Sequence, residues 1–161
     1  MAGACKHIAR NCAKGFTLIE VMTVLAIAVV ATAVAAPAFT GMVAAQRIKS
    51  AGTDLYLSLQ RARSEALKRN ASVTVLAKPG GWQAGWQVVD AASSTVLEDH
   101  GALTDVNVSG PASVLYRSMG RLAAGSGVSI VVTSTSGASS AAQCVSVELS
   151  GQPFVQAGPT C

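Results

Sequence analysis

The sequence predicts an α+β protein: a long N-terminal hydrophobic helix packed on a small antiparallel β-sheet or sandwich. Three observations lead there. Residues 16–39 are an apolar run with one ionisable side chain; residues 47–69 repeat apolar side chains at the helical period; beyond residue 70 the pattern changes to short β-rich runs punctuated by turn residues. A chain of 161 residues holds one ordinary domain and an appendage, which excludes a second catalytic domain. Charged residues are only 12% of the chain, unusually few for a fully soluble protein of this size, and much of the apolar excess sits in one stretch.

The first element is basic. Lys6, Arg10 and Lys14 give the first fifteen residues three positive charges and no acid, leaving nine basic and eight acidic residues for the remainder. The net charge of +4 therefore describes mainly this segment and says little about nucleic-acid binding, which usually needs a basic surplus on the folded domain itself. Cys5, His7 and Cys12 also lie here; they lack a fourth ligand for a closed zinc site, and no metal is expected.

The apolar run reads FTLIEVMTVLAIAVVATAVAAPAF, twenty-four residues with Glu20 as the only ionisable group. That length spans a bilayer core as a helix. The basic residues before it predict a cytoplasmic N-terminus, with the rest of the chain outside. A secretory signal cut near Ala33-Val34-Ala35 fits the small-x-small pattern, but the run exceeds a usual signal core and Pro37 crowds the cut. A plain single-span anchor leaves Glu20 unexplained, because an acid inside a membrane costs a few kcal/mol and marks function.

Past the run, Arg47 to Arg69 continues as an amphipathic helix. Ile48, Leu55, Leu59, Ala62 and Ala66 line one face, with Asp54, Ser58, Arg61, Glu65 and Lys68 assigned to the opposite one. Glu65 precedes Arg69 in the favourable i to i+4 order. An unbroken helix from Phe16 to Arg69 would extend about 80 Å at 1.5 Å per residue, far more than a bilayer needs. Pro37, Gly41 and Gly52 are candidate bends within it.

Eight short strands are expected after Asn70: Ser72 to Ala77, Gly85 to Asp90, Thr95 to Glu98, Val106 to Val108, Val114 to Tyr116, Val128 to Thr133, Gln143 to Leu149 and Pro153 to Gln156. Cys144 and Cys161 lie on the oxidising side and are expected to pair, tying the tail to the penultimate strand; free or intermolecular thiols are the alternative. Trp82 and Trp86 are read as core or hairpin packing, and His100 as a solvated turn histidine. The sequence carries no phosphate loop, zinc spacing or nucleophile elbow, so neither catalysis nor a cofactor is indicated.

The segment Lys14-Gly15-Phe16-Thr17-Leu18-Ile19-Glu20-Val21 closely resembles the prepilin cleavage motif of the type IV pilin family, shared with type II secretion pseudopilins. The resemblance implies a leader at 1–15, removed after Gly15 by a prepilin peptidase, and N-methylation of the new first residue, Phe16. It makes 16–39 a transmembrane and assembly helix, with Pro37 as a flexible point, 40–70 its amphipathic continuation, and 71–161 a periplasmic β-rich head. Glu20 then pairs with the freed amine of a neighbouring subunit: at about 4 Å and an effective dielectric of about 20 the attraction is on the order of 4 kcal/mol, partly offset by desolvation.

The stretch from Leu59 to Asn70, the Trp86 strand, the segment Leu115-Tyr116-Arg117-Ser118-Met119-Gly120 and the cysteine-terminated final strand pair resemble the GspH/FimT group of minor pilins. What this implies is an inner-membrane structural subunit assembling with other minor pilins and the major pilin, in the initiating or tip complex of a type IV pilus. The equivalent pseudopilin of a type II secretion system is the alternative. A third is DNA binding for natural transformation. The Gly-Arg-x-Arg signature of that branch is replaced here by Gly151-Gln152-Pro153-Phe154, which leaves Arg117 and Arg121 as the candidate phosphate contacts.

Overall fold

The computed structural model describes residues 16–161 apart from Ser136 and Ala138, and omits the side chains of Val34, Pro37 and Ala38. Two compact units divide at residue 37, Met1–Pro37 and Ala38–Cys161. The helix α1 is assigned over Leu18–Arg69, 52 residues. Strands follow at β1 Val73–Ala77, β2 Trp86–Asp90, β3 Val96–His100, β4 Val106–Ser109, β5 Ser113–Tyr116, β6 Val128–Ser134, β7 Ala142–Val147 and β8 Pro153–Ala157, with a short 3-10 turn at Trp82–Ala84. All eight expected strands are present, with ends shifted by one or two residues.

The strands form two antiparallel four-stranded sheets, ordered β3-β2-β1-β5 and β4-β6-β7-β8. In the first, Val75 sits between Val88 and Val114; in the second, Ile130 faces Val145. Burial alternates along β1, β4 and β5 as expected of strands with one face on a core. The inner valines and Trp86, Tyr116 and Ile130 join one apolar cluster with Ile48, Leu55, Leu59, Ala62 and Ala66 of α1. The predicted helical stripe is thus the buried face, and truncating Leu55 or Leu59 to alanine there would cost about 2–5 kcal/mol.

Two residues of α1 behave differently from their sequence reading. Ser58, assigned by periodicity to the polar face, is only 2% exposed, because its hydroxyl accepts from the indole N–H of Trp86 at 2.9 Å and donates to Glu98 at 2.7 Å. Gly52 lies inside the helix and does not end it. Its missing side chain lets α1 approach β7, where a Cβ would stand 3.1 Å from that of Gln143. Gly41 and Pro37 also fall within the bounds of α1.

The turn after β5 and the turn between β7 and β8 interlock. Gly151, at φ +81°, presses so closely on the carbonyl of Gly120 that a Cβ would collide with it. Gly120, at φ +69°, packs in turn against Leu67 of α1. Arg63 fastens both turns to the helix, donating from Nε to the Gly120 carbonyl at 3.1 Å and from Nη1 to Gln152 Oε1 at 2.6 Å.

A disulfide joins Cys144 of β7 to Cys161, with the two Cα atoms 5.5 Å apart and 17 residues apart in sequence. Closing a loop of that length stabilises the native chain by about 3 kcal/mol in the chain-entropy account. Replacing both cysteines by serine should lower the unfolding free energy by about that amount in urea titration. An unchanged midpoint would show that the tail is held without the bond.

Candidate functional site

The start of α1 carries the first candidate site. Thr17 precedes the helix and its hydroxyl accepts from the Glu20 backbone N–H at 3.3 Å, while Glu20 Oε2 accepts from the Thr17 N–H at 3.5 Å. This is the reciprocal capping box, in which two unpaired N–H groups of a helix end are satisfied by one hydroxyl and one carboxylate. Phe16 and Val21 occupy the positions of a hydrophobic staple around it. The signal was present in the sequence as Thr-x-x-Glu, but Glu20 was read there only as a charge. The other carboxylate oxygen, Oε1, accepts no hydrogen bond among the described residues.

Beyond the cap, Leu18, Ile19, Met22, Leu25, Ile27 and Val30 are all exposed, and Phe16 is 81% exposed. Thr23 and Thr32 turn their hydroxyls back onto carbonyls of the preceding turn, so neither leaves an unsatisfied polar group. Among the described residues no helix is long and apolar enough to cross a membrane. The twenty-four-residue apolar run is a property of the full sequence. Gly15, Cys5, His7, Cys12 and the leader cations lie outside the described residues, as does the side chain of Pro37.

A second cluster lies where α1 crosses the first sheet. Trp86 is buried, its indole tied to Ser58, and its ring is stacked on His100 with centroids 3.9 Å apart and planes 6° apart. His100 therefore ends β3 against a tryptophan instead of standing in a solvated turn, since the strand runs two residues further than periodicity indicated. Its Nε2 lies 3.9 Å from Asp54. Arg61 closes the cluster through Glu98 at 2.8 Å. Trp82 is buried as expected and donates to the Pro111 carbonyl at 2.7 Å.

Arg117 and Arg121 line one cavity of about 440 Å³ together with Met119, Leu122 and Leu149. Sequence reasoning selected both arginines without indicating that a single turn brings them together. Among the described residues no group of His, Cys, Asp or Glu is arranged to hold a metal ion.

Residues 51–151 match the family described as type II transport protein GspH, and residues 10–36 match the prokaryotic N-terminal methylation motif. The chain belongs to the GspH family. Its fold is that of the type IV minor pilin FimU of Pseudomonas aeruginosa strain PAO1. One crystal form of FimU matches with a TM-score of 0.61 at 20% identity, over 72% of this chain and 96% of FimU; a second matches with a TM-score of 0.58 at 20% identity, over 70% and 98%. No curated protein matches the sequence. The protein is thus type IV pilin-like: a GspH-family domain with a pilin fold, preceded by an N-terminal methylation motif.

In this GspH-family domain the end of α1 is fixed by charge. Arg69 Nε holds Glu65 at 2.6 Å, and that hydrogen bond, assisted by Lys68, keeps the Glu65 carboxyl below its ordinary range. Asp90 is lowered first by the N–H groups of Ser93 and Ala92, each 3.0 Å from its Oδ1, and further by Arg69. A carboxyl whose folded pKa lies below its unfolded one leaves the unfolded chain holding more protons as pH falls. The stabilisation is complete above the ordinary carboxylate range and is lost as pH drops through the folded values. The melting temperature should therefore fall on acidification from about pH 5 to about pH 3. Asp90→Asn, which keeps an oxygen for both N–H groups, should flatten that fall; an unaltered acid slope would remove Asp90 from the account.

Proposed function

We propose that the chain is a minor pilin of a type IV pilus, processed after Gly15 by a prepilin peptidase and N-methylated at Phe16, with a structural and not a catalytic role. In this reading residues 16–39 anchor it in the inner membrane with the N-terminus cytoplasmic. The domain at 71–161 faces the periplasm and joins other minor pilins and the major pilin in the complex that initiates or tips the filament. The observation that carries the reading is a helix start whose apolar side chains are exposed on every side behind a single carboxylate. A soluble monomer rarely leaves so much contiguous apolar surface open, and a helix apolar all round needs lipid or other helices. Lipid before assembly and neighbouring helices after it supply that cover in turn. The equivalent subunit of a type II secretion pseudopilus is the second reading, favoured by the description of the matched family.

Glu20 has two separable duties here, capping its own helix and answering the amine of a neighbour. Glutamine also closes a capping box but carries no charge. The protein recovered from its native host should begin at methylated Phe16, by terminal sequencing and mass. Glu20→Gln should be processed normally yet reach sheared filaments at least about tenfold less well, the consequence of losing roughly 1.4 kcal/mol of contact. A Gln variant that assembles like wild type would reduce Glu20 to a cap and end the pairing model; a chain starting elsewhere would end the whole reading.

A further inference from the structure

Six arginines lie among the described residues, and four of them are engaged. Arg47 pairs with Asp105, Arg61 with Glu98, Arg69 with Glu65, and Arg63 with the two interlocked turns. Among the described residues Arg117 and Arg121 make no side-chain hydrogen bond or ion pair, and both border the same cavity. No acid borders it with them. Two cations thus border one cavity with no acid beside them to offset their charge.

The rest of the cavity is apolar. Met119 is 76% exposed, Leu149 is 43% exposed, and Leu122 forms the buried floor. Exposed methionine beside arginine is the composition of a protein interface core, where a flexible thioether adapts to the partner and a planar fork grips a carboxylate. A nucleic-acid strand would call for aromatic platforms beside the cations, and none borders this cavity.

The surface is also preformed. The Arg117 N–H donates to the Arg121 carbonyl at 2.9 Å and the Gly120 N–H to the Arg117 carbonyl at 2.8 Å, so the turn presenting both side chains is closed on itself. The Leu122 N–H reaches the Leu149 carbonyl at 3.4 Å, and Arg63 fixes the same turn to α1 from behind. A partner would therefore meet a backbone already ordered by the fold, with little left to lose on binding.

We propose that Arg117, Arg121 and Met119 form a docking surface that seats a segment of a neighbouring protein subunit carrying a carboxylate among apolar side chains. This rests on the filament-subunit reading above. It extends that reading to a specific contact through the folded domain, separate from the helix-borne pairing of Glu20.

The test uses the full-length chain in its native host with a photoreactive benzophenone amino acid in place of Met119. A second probe in place of Leu25, on the apolar helix, reports assembly independently. Irradiation at position 119 should yield an adduct with a filament subunit, and the linked peptide should contain Asp or Glu. Arg117→Glu and Arg121→Glu should each lower that yield by about tenfold, as loss of a paired charge commonly does, while Arg121→Lys retains most of it and adducts at position 25 are unchanged. The proposal is overturned by a yield indifferent to charge reversal, a linked peptide without an acid, or an adduct with nucleic acid. Silence at position 119 while position 25 reacts overturns the docking surface alone. Silence at both overturns the filament-subunit reading with it.

Discussion

Both sheets depend on one stripe of α1 for their shared core. Ile48, Leu55 and Leu59 provide bulk, while Ala51, Gly52, Ala62 and Ala66 provide nearness, and the valines of β1, β2, β6 and β7 close on that surface from two sheets. A small residue at a crossing lets backbone approach backbone, and large ones beside it fill the space that remains. Polar ties then set the angle of approach. Ser58 fixes α1 to β2 through the indole of Trp86, and Arg63 fixes it to the turns beyond β5 and β7. With one core common to helix and both sheets, a change on the stripe is felt in each.

The legible part of this fold was whatever repeats. The stripe on α1 and the eight strands follow from periods of 3.6 and 2, so they could be counted along the sequence. Hidden from it were features set by contacts distant along the chain. Ser58 looked polar and outward because periodicity assigns a face without knowing that an indole N–H lies opposite. Gly52 looked like a weak point because helix propensity takes no account of a strand that needs the room. His100 looked like a turn residue because a strand end cannot be fixed by alternation over four residues, and its stacking on Trp86 depends on the register between β2 and β3.

The candidate sites divide in the same way. The N-terminal motif at residues 10–36 is legible because it is a linear string of adjacent residues. Arg117 and Arg121 are legible as candidate phosphate contacts, but their convergence on one cavity depends on the tight turn through Gly120 and the close approach of Gly151 to it. The capping box is legible as Thr-x-x-Glu, and the charge of the same carboxylate in an apolar helix is a separate constraint. One residue can satisfy two constraints, and finding the first does not exhaust it.

The observed cap and the proposed pairing place compatible demands on Glu20. An acid in an apolar helix is costly while no neighbouring amine is present, yet the third helical position is where a carboxylate costs least, facing the positive end of the helix dipole and an unpaired N–H. The cap at Thr17 is long, 3.5 Å, and engages only Oε2, so it restrains the carboxylate without consuming its capacity to accept. In the proposed pairing an arriving ammonium would meet Oε1, which accepts no hydrogen bond among the described residues. A residue one turn further along would have neither the dipole nor the free N–H, and its charge would be as expensive before assembly as the plain anchor reading supposes. Placing the acid three residues after a threonine is therefore what makes a charged waiting state in an apolar helix physically tolerable.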